Sequence, residues 1–324
     1  MSSFGRPILP LAIGTRGGSS DSNSSKYLIP LLVISWYSLA CVSVCSSKVI
    51  TESFNFPLQL CLIQLLSAAW ICYGTLKIIE PNQNKSLIRR VRVEVILAGL
   101  LFCFGFVFTN YAFSCSTVSF AETIKAGEPI STLLLGLFFY SERATNLTYA
   151  TIVPICFGVG LSCYSSNEFI INCFVFASLS NFCFSGRAVI VKRLNVHGST
   201  VVDEITLFGQ MCLVGCAVVA PLWIFQESSK AVSHFFKCPV SEILNLIFLF
   251  LLNGCAFTAY NLLSMLVLAK TQLFTHTILN AIRRVFIITS SVIFFGNYIS
   301  PLNKFGVGIS VLGGCFYSYV KSFK

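Results

Sequence analysis

The sequence predicts an all-α membrane protein: ten transmembrane helices as two inverted five-helix repeats, with both termini on the same side. Three observations carry that expectation. First, hydrophobic residues make up 55% of the 324-residue chain and charged residues only 10%, where an ordinary soluble protein carries about 25% charged residues. The mean hydropathy is +0.80, and such a chain cannot bury its apolar residues and still present a wettable surface. Second, the apolar residues gather into runs of near-spanning length. Third, the chain repeats itself at an offset close to half its length. The formal charge of +10 does not indicate a nucleic-acid surface, because the basic residues lie between apolar runs or, more rarely, inside them.

The elements follow in order. Residues 1–26 are polar, rich in Gly and Ser, and read as disordered. Ten spans are expected at 28–48, 57–79, 95–114, 117–140, 148–166, 168–187, 204–225, 243–268, 272–296 and 301–320. The third and fourth run together without a charged break, and are divided at "CSTVS" (115–119) because the joined stretch is too long for one span. The basic loops "KSLIRRVRVE" (85–94) and "VKRLNVHGS" (191–199), with Lys321 and Lys324, all fall on one side of this arrangement. Lys230 and Lys237, between spans seven and eight, argue the other way.

The repeat sits in two stretches. "SFAETIKAGEPISTLLLGLFFYSE" begins at Ser119 and "LFTHTILNAIRRVFIITSSVIFFGN" at Leu273. Both carry Phe-x-x-Thr-Ile, then a long apolar run, then a double Phe before a polar turn. Each is followed by a helix holding Gly-Val-Gly, at 158–160 and 306–308. Five spans per half is an odd number, so the second half (167–322) enters the bilayer upside down relative to the first (27–166). Secondary transporters are built this way, with the substrate site at mid-bilayer between the halves.

The same two stretches hold charge inside apolar runs. Lys125 is flanked by Glu122 and Glu128, and Arg283 and Arg284 sit mid-helix. A central Lys or Arg costs about 2.5–3.5 kcal/mol on insertion, so three cost on the order of 8–10 kcal/mol. A wet cavity, a counter-charge or a ligand must offset that. Two readings stand open. Lys125 can form a structural ion pair with Glu122 or Glu128; Arg283 and Arg284 have no carboxylate within a helical turn, so a structural role would need Glu122 or Glu128 to reach across from the other half. Alternatively, these cations hold an anionic ligand, for which Arg offers a planar fork and Lys a mobile point charge.

"TNYAFSCSTVSFAETIKAGEP" (109–129), "YNLLSMLVLAKTQLFTHTILNAIRRVFIITSSVIFF" (260–295) and "SPLNKFGVGISVLGGCFYSYVK" (300–321) resemble the triose-phosphate/phosphate translocators, within the drug/metabolite transporter superfamily. The resemblance runs from about Tyr27 to Lys321. It implies ten helices in inverted repeats and exchange of inorganic phosphate for phosphorylated three-, five- or six-carbon metabolites. It also implies a phosphate site. The lysine of the family's Thr-Ile-Lys motif falls on Lys125, its Lys-Arg pair on Arg283 and Arg284, its Tyr-Asn tyrosine on Tyr260, its third-helix threonine on Thr109 and its sixth-helix arginine on Arg187. Two positions depart from the pattern: Phe106 and Glu122 stand where the family commonly has histidine. The cations are kept, so phosphate binding is expected to survive, while Phe106 alters how the organic part is met.

Other chemistry is thin. His197, His234 and His276 do not cluster, and the 15 Cys show no zinc-like spacing, so no metal or cofactor is expected and the thiols read as small hydrophobes. Gly158, Gly160, Gly306, Gly308, Gly313 and Gly314 read as close-packing positions. "NSS" (23–25) and "NLT" (146–148) match the glycosylation pattern but fall on the inner face of this topology. No phosphate-cradling loop and no catalytic triad is found, so no enzyme activity is expected. The partners expected are inorganic phosphate, phosphorylated small metabolites and the lipid bilayer, with no nucleic acid; oligomeric state is not legible. The resemblance implies a plastid envelope, including a secondary-plastid or apicoplast membrane, as the location; residues 1–26, which hold Arg6 and Arg16, are Ser-rich and have no acid before Asp21, are transit-like in composition but short. A nucleotide-sugar transporter of the endoplasmic reticulum or Golgi is the alternative.

Overall fold

The computed structural model describes residues 22–79, 92–140, 146–165, 170–194, 201–270, 273–296 and 300–322. The basic stretches 85–91 and 195–199, Lys324 and residues 1–21 lie outside the described residues. Among those described, every regular element is a helix: α1 Ser22–Ser53, α2 Pro57–Ile79, α3 Val93–Cys115, α4 Val118–Lys125, α5 Glu128–Tyr140, α6 Asn146–Ser165, α7 Ile171–Leu194, α8 Val201–Gln226, α9 Ser228–Lys237, α10 Val240–Lys270, α11 Leu273–Phe295 and α12 Pro301–Ser322. Six of them (α1, α2, α3, α7, α8 and α10) are by themselves long and apolar enough to cross a bilayer. Their outward faces carry bare large apolar side chains such as Trp70, Ile78 and Phe225, as a lipid-facing surface does.

Three departures from the expected spans have local causes. Residues 22–26, expected to be disordered, form the first turns of α1. The expected span 117–140 is broken into α4 and α5 by a turn at Ala126 and Gly127. Pro129 causes the break: it has no N–H to give the carbonyl of Lys125, and its ring would clash there. The chain tightens instead, with the Gly127 N–H donating to the Ile124 carbonyl at 3.0 Å, and Asn181 of α7 donates to the same carbonyl at 3.0 Å. Finally, the basic segment between spans seven and eight folds as α9, a helix with only Ala231 buried. Its His234 ring meets the edge of Phe54 at 4.4 Å, which seats α9 against the α1–α2 turn.

The main packing partners are α3 with α7, α1 with α10, α2 with α8 and α6 with α12. The α6–α12 crossing needs glycine: a Cβ on Gly306 would lie 2.7 Å from the Gly158 carbonyl oxygen and 2.8 Å from the Ser162 nitrogen. Gly158 and Gly313 lie in the same contact, whereas a Cβ on Gly160, Gly308 or Gly314 would meet open space. Gly296, with φ +64°, terminates α11. The α2–α8 pair is fastened at one end by Glu227, whose carboxylate accepts the N–H groups of Leu58 at 3.1 Å and Gln59 at 2.9 Å. These are orphan donors of the first turn of α2. Burial pushes the Glu227 carboxyl above its ordinary value, and the two amide hydrogen bonds pull it back down.

Candidate functional site

The break after α4 and the middle of α11 meet at one cavity of about 140 Å³, walled by α1, α2, α3, α7 and α10 as well. All seven residues singled out from the sequence line it: Phe106, Thr109, Lys125, Arg187, Tyr260, Arg283 and Arg284. Glu122 and Glu128 line it too. The broken helix places charge where its own dipoles favour it, with Lys125 closing α4 and Glu128 opening α5. A larger cavity of about 260 Å³ between α2, α9 and α10 is lined by Ile63, Phe235, Phe250 and similar side chains with no charged group, and offers nothing to an anion.

The four cations divide into two kinds. Arg284 is held by carboxylates: its Nη1 lies 3.2 Å from Glu122 Oε2, and its Nη2 donates to Glu128 Oε2. Both acids lie more than 150 residues away in the sequence. Lys125 pairs with Glu122 at 3.5 Å and donates to Thr109 Oγ1 at 3.1 Å. Thr109 in turn donates back to the Gly105 carbonyl at 2.8 Å and lies 2.8 Å from Ser180 Oγ, so it both back-bonds within its helix and receives the lysine.

Arg283 and Arg187 have no carboxylate partner among the described residues. Arg283 donates from Nε to Asn280 Oδ1 at 3.1 Å, and its guanidinium lies 5.5 Å from the Trp36 ring centroid and 5.6 Å from that of Tyr260. Arg187 rests on Phe102 and Phe184, at 5.3 and 5.9 Å, and its buried Nε has no hydrogen-bond acceptor among the described residues. Aromatic faces soften the isolation of these two charges without neutralising them. Four lining cations against two lining carboxylates leave an excess of two positive charges.

Several lining residues escaped the sequence reading. Gln64 donates to Asn253 Oδ1 at 2.8 Å and to Ser47 Oγ at 3.1 Å, and Asn110 donates to Gln64 Oε1 at 3.2 Å. Asn253 completes the network by donating to Ser47 Oγ at 2.9 Å. Their signal was amide side chains inside apolar runs, where a polar group needs a partner. Lys48, in the first expected span, is likewise buried: it donates to the Phe113 carbonyl at 2.8 Å and pairs with Glu52 at 3.2 Å, outside the cavity lining. Phe106 forms an apolar wall with Phe102, Phe184 and Phe257, at centroid distances of 4.9, 4.9 and 4.7 Å. Among the described residues no cluster of His, Cys, Asp or Glu could hold a metal ion.

Known proteins resemble this chain over most of its length. The chloroplast phosphoenolpyruvate/phosphate translocator 3 of Oryza sativa subsp. japonica is 31% identical over 295 residues, covering 90% of this chain and 74% of that protein. The chloroplast phosphoenolpyruvate/phosphate translocator 1 of Arabidopsis thaliana is 30% identical, covering 95% and 75%. The non-green-plastid triose phosphate/phosphate translocator of Brassica oleracea var. botrytis is 28% identical, covering 97% and 78%. A crystal structure 14% identical in sequence superposes with a TM-score of 0.52 over 91% of this chain and 96% of the other, so the fold is one already observed. The family model for the Triose-phosphate Transporter family matches residues 28–318. The chain therefore belongs to the triose-phosphate transporter family.

Proposed function

We propose that this protein is an antiporter that exchanges inorganic phosphate for phosphorylated three-carbon metabolites, such as triose phosphate, 3-phosphoglycerate or phosphoenolpyruvate, across a plastid envelope membrane. The observation that carries the reading is the charge of the cavity: two cations in excess, Arg283 and Arg187 both without a carboxylate among the described residues. A phosphate monoester brings about two negative charges. The planar forks of the two arginines suit its oxygens, with Lys125 and Arg284 beside them. The plastid location rests on the relatives, whose names are chloroplastic.

Exchange follows from the same charge. An empty cavity passing through a closed state would strand two cations in low dielectric, at several kcal/mol per ion. A bound phosphate dianion removes that cost, so the loaded carrier changes sides and the empty one is held back. Alternating access needs two opposed halves. If α4 and α5 count as one broken crossing and α9 as a surface helix, ten crossings remain, in repeats 27–166 and 167–322 with both termini on one side. The packing supports this. Exchanging α1 with α7, α2 with α8, α3 with α10, α4–α5 with α11 and α6 with α12 turns the α3–α7 contact into α10–α1, α3–α8 into α10–α2 and α1–α11 into α7 with α4 and α5, all of which occur.

Purified protein in liposomes tests the proposal. Labelled phosphate uptake should be fast into vesicles loaded with phosphate or triose phosphate and slow into vesicles lacking both. Equal uptake into both overturns the exchange mechanism. Inhibition by a nucleotide sugar but not by triose phosphate would overturn the substrate class.

A further inference from the structure

We propose that Glu122 sets the charge of the cargo, so that the carrier accepts phosphate esters with uncharged bodies, which travel as dianions, ahead of phosphorylated carboxylates, which travel as trianions. The inference rests on the exchange reading above and narrows its substrate class.

Glu122 is 3% exposed, lines the cavity, and touches one cation on its own helix and one on α11: Lys125 at 3.5 Å and Arg284 at 3.2 Å. The charged or titratable groups around it are Lys125 on its own helix, Glu128 on α5, Arg187 on α7, Tyr260 on α10 and Arg283 and Arg284 on α11. With Glu122 ionised the excess is two; without it the excess would be three. Closing the carrier removes water from whatever charge is left uncompensated, so the species that closes most readily is the one nearest neutrality. A dianion brings the cavity to that point. A trianion overshoots it, and no further cation lines the cavity among the described residues.

The rest of the chamber agrees with an uncharged body. Ser47, Gln64 and Asn110, already joined to one another, and the Phe106 ring line the same cavity. Hydroxyl and carbonyl oxygens find donors and acceptors among these side chains, but a carboxylate finds no countercharge. Inorganic phosphate and a triose phosphate then carry equal charge in opposite directions.

The experiment compares dihydroxyacetone phosphate with phosphoenolpyruvate as external substrates for phosphate-loaded liposomes at pH 8 and pH 6, for the wild type, Glu122→Gln and Glu122→Asp. At pH 8 the wild type should favour dihydroxyacetone phosphate. In E122Q the ratio should move toward phosphoenolpyruvate by roughly tenfold, a modest part of one charge–charge interaction at contact range inside a protein. E122D should keep the wild-type order. A merely structural Glu122 would lower both rates alike, and an unchanged ratio in E122Q overturns the proposal. If E122Q does not fold, the wild type decides alone. The second phosphate pKa is near 6, so acidification turns the trianion into a dianion, and the preference should shrink between pH 8 and pH 6. A pH-independent preference, or none at pH 8, overturns the proposal while leaving exchange intact. Absence of all phosphate exchange would instead overturn the carrier reading.

Discussion

Two neighbouring arginines have different surroundings, and that difference is invisible in the sequence. Arg283 and Arg284 read alike as adjacent cations in an apolar run. In the fold, Arg284 is clamped between Glu122 and Glu128, while Arg283 leans on Trp36 and Tyr260 with no acid of its own among the described residues. Removing Arg284 leaves Glu128 without its cation and Glu122 with Lys125 alone, and breaking a buried pair in this way typically costs about 3–5 kcal/mol. Arg284→Gln should therefore lower the melting temperature in detergent as well as transport. Arg283→Gln should leave the melting temperature near that of the wild type and weaken phosphate half-saturation by roughly ten- to a hundredfold, the loss of about 1.5–3 kcal/mol in charge-assisted hydrogen bonding. Equal melting temperatures for both variants would refute the division. Lys125 was legible because its acids lie three residues away on either side, and the structure selects Glu122 for it. The Arg284 pairs stood only as one of two open readings, because they join α11 to α4 and α5, and spacing along one helix cannot select a partner more than 150 residues distant.

At the level of elements, the apolar runs gave the order of the helices, and six of those helices are long and apolar enough to cross a bilayer. What they concealed was the interruption between α4 and α5. "KAGEP" (125–129) held the signal, a proline four residues after the lysine whose carbonyl it cannot serve, but its apolar flanks read as one continuous span. The break puts the end of one half-helix and the start of the next at cavity depth, carrying Lys125 and Glu128. Pro129→Ala restores the missing N–H and removes a residue worth about 3 kcal/mol against helix. The variant should unfold at a temperature no lower than the wild type, yet exchange phosphate at least several-fold more slowly, because a continuous helix turns Glu128 away from Arg284. Normal exchange by Pro129→Ala in liposomes would show that the interruption does not position the site. The helix α9 was missed for a different reason: ten residues of mixed polarity carry too weak a periodic signal to separate a short surface helix from a loop.

Across the whole molecule, the reach of the sequence ended where contacts between distant helices began. The half-chain repeat was visible as motif similarity, yet which helices lie together, α3 on α7 and α1 on α10, could only come from the fold. The same packing distributes the three tryptophans unequally. Trp70 looks outward, Trp223 is half-buried on α8, and Trp36 is enclosed on α1 with its ring against the Arg283 guanidinium. The molecule thus contains its own optical sensor. Indole emission responds to nearby charge, so a chain with Trp70 and Trp223 changed to phenylalanine would report from a single fluorophore touching the cation proposed to meet the cargo. Its spectrum should shift on titration with phosphate and remain still when Arg283→Gln is added; a silent Trp36 in the otherwise native chain would mean that the anion settles elsewhere.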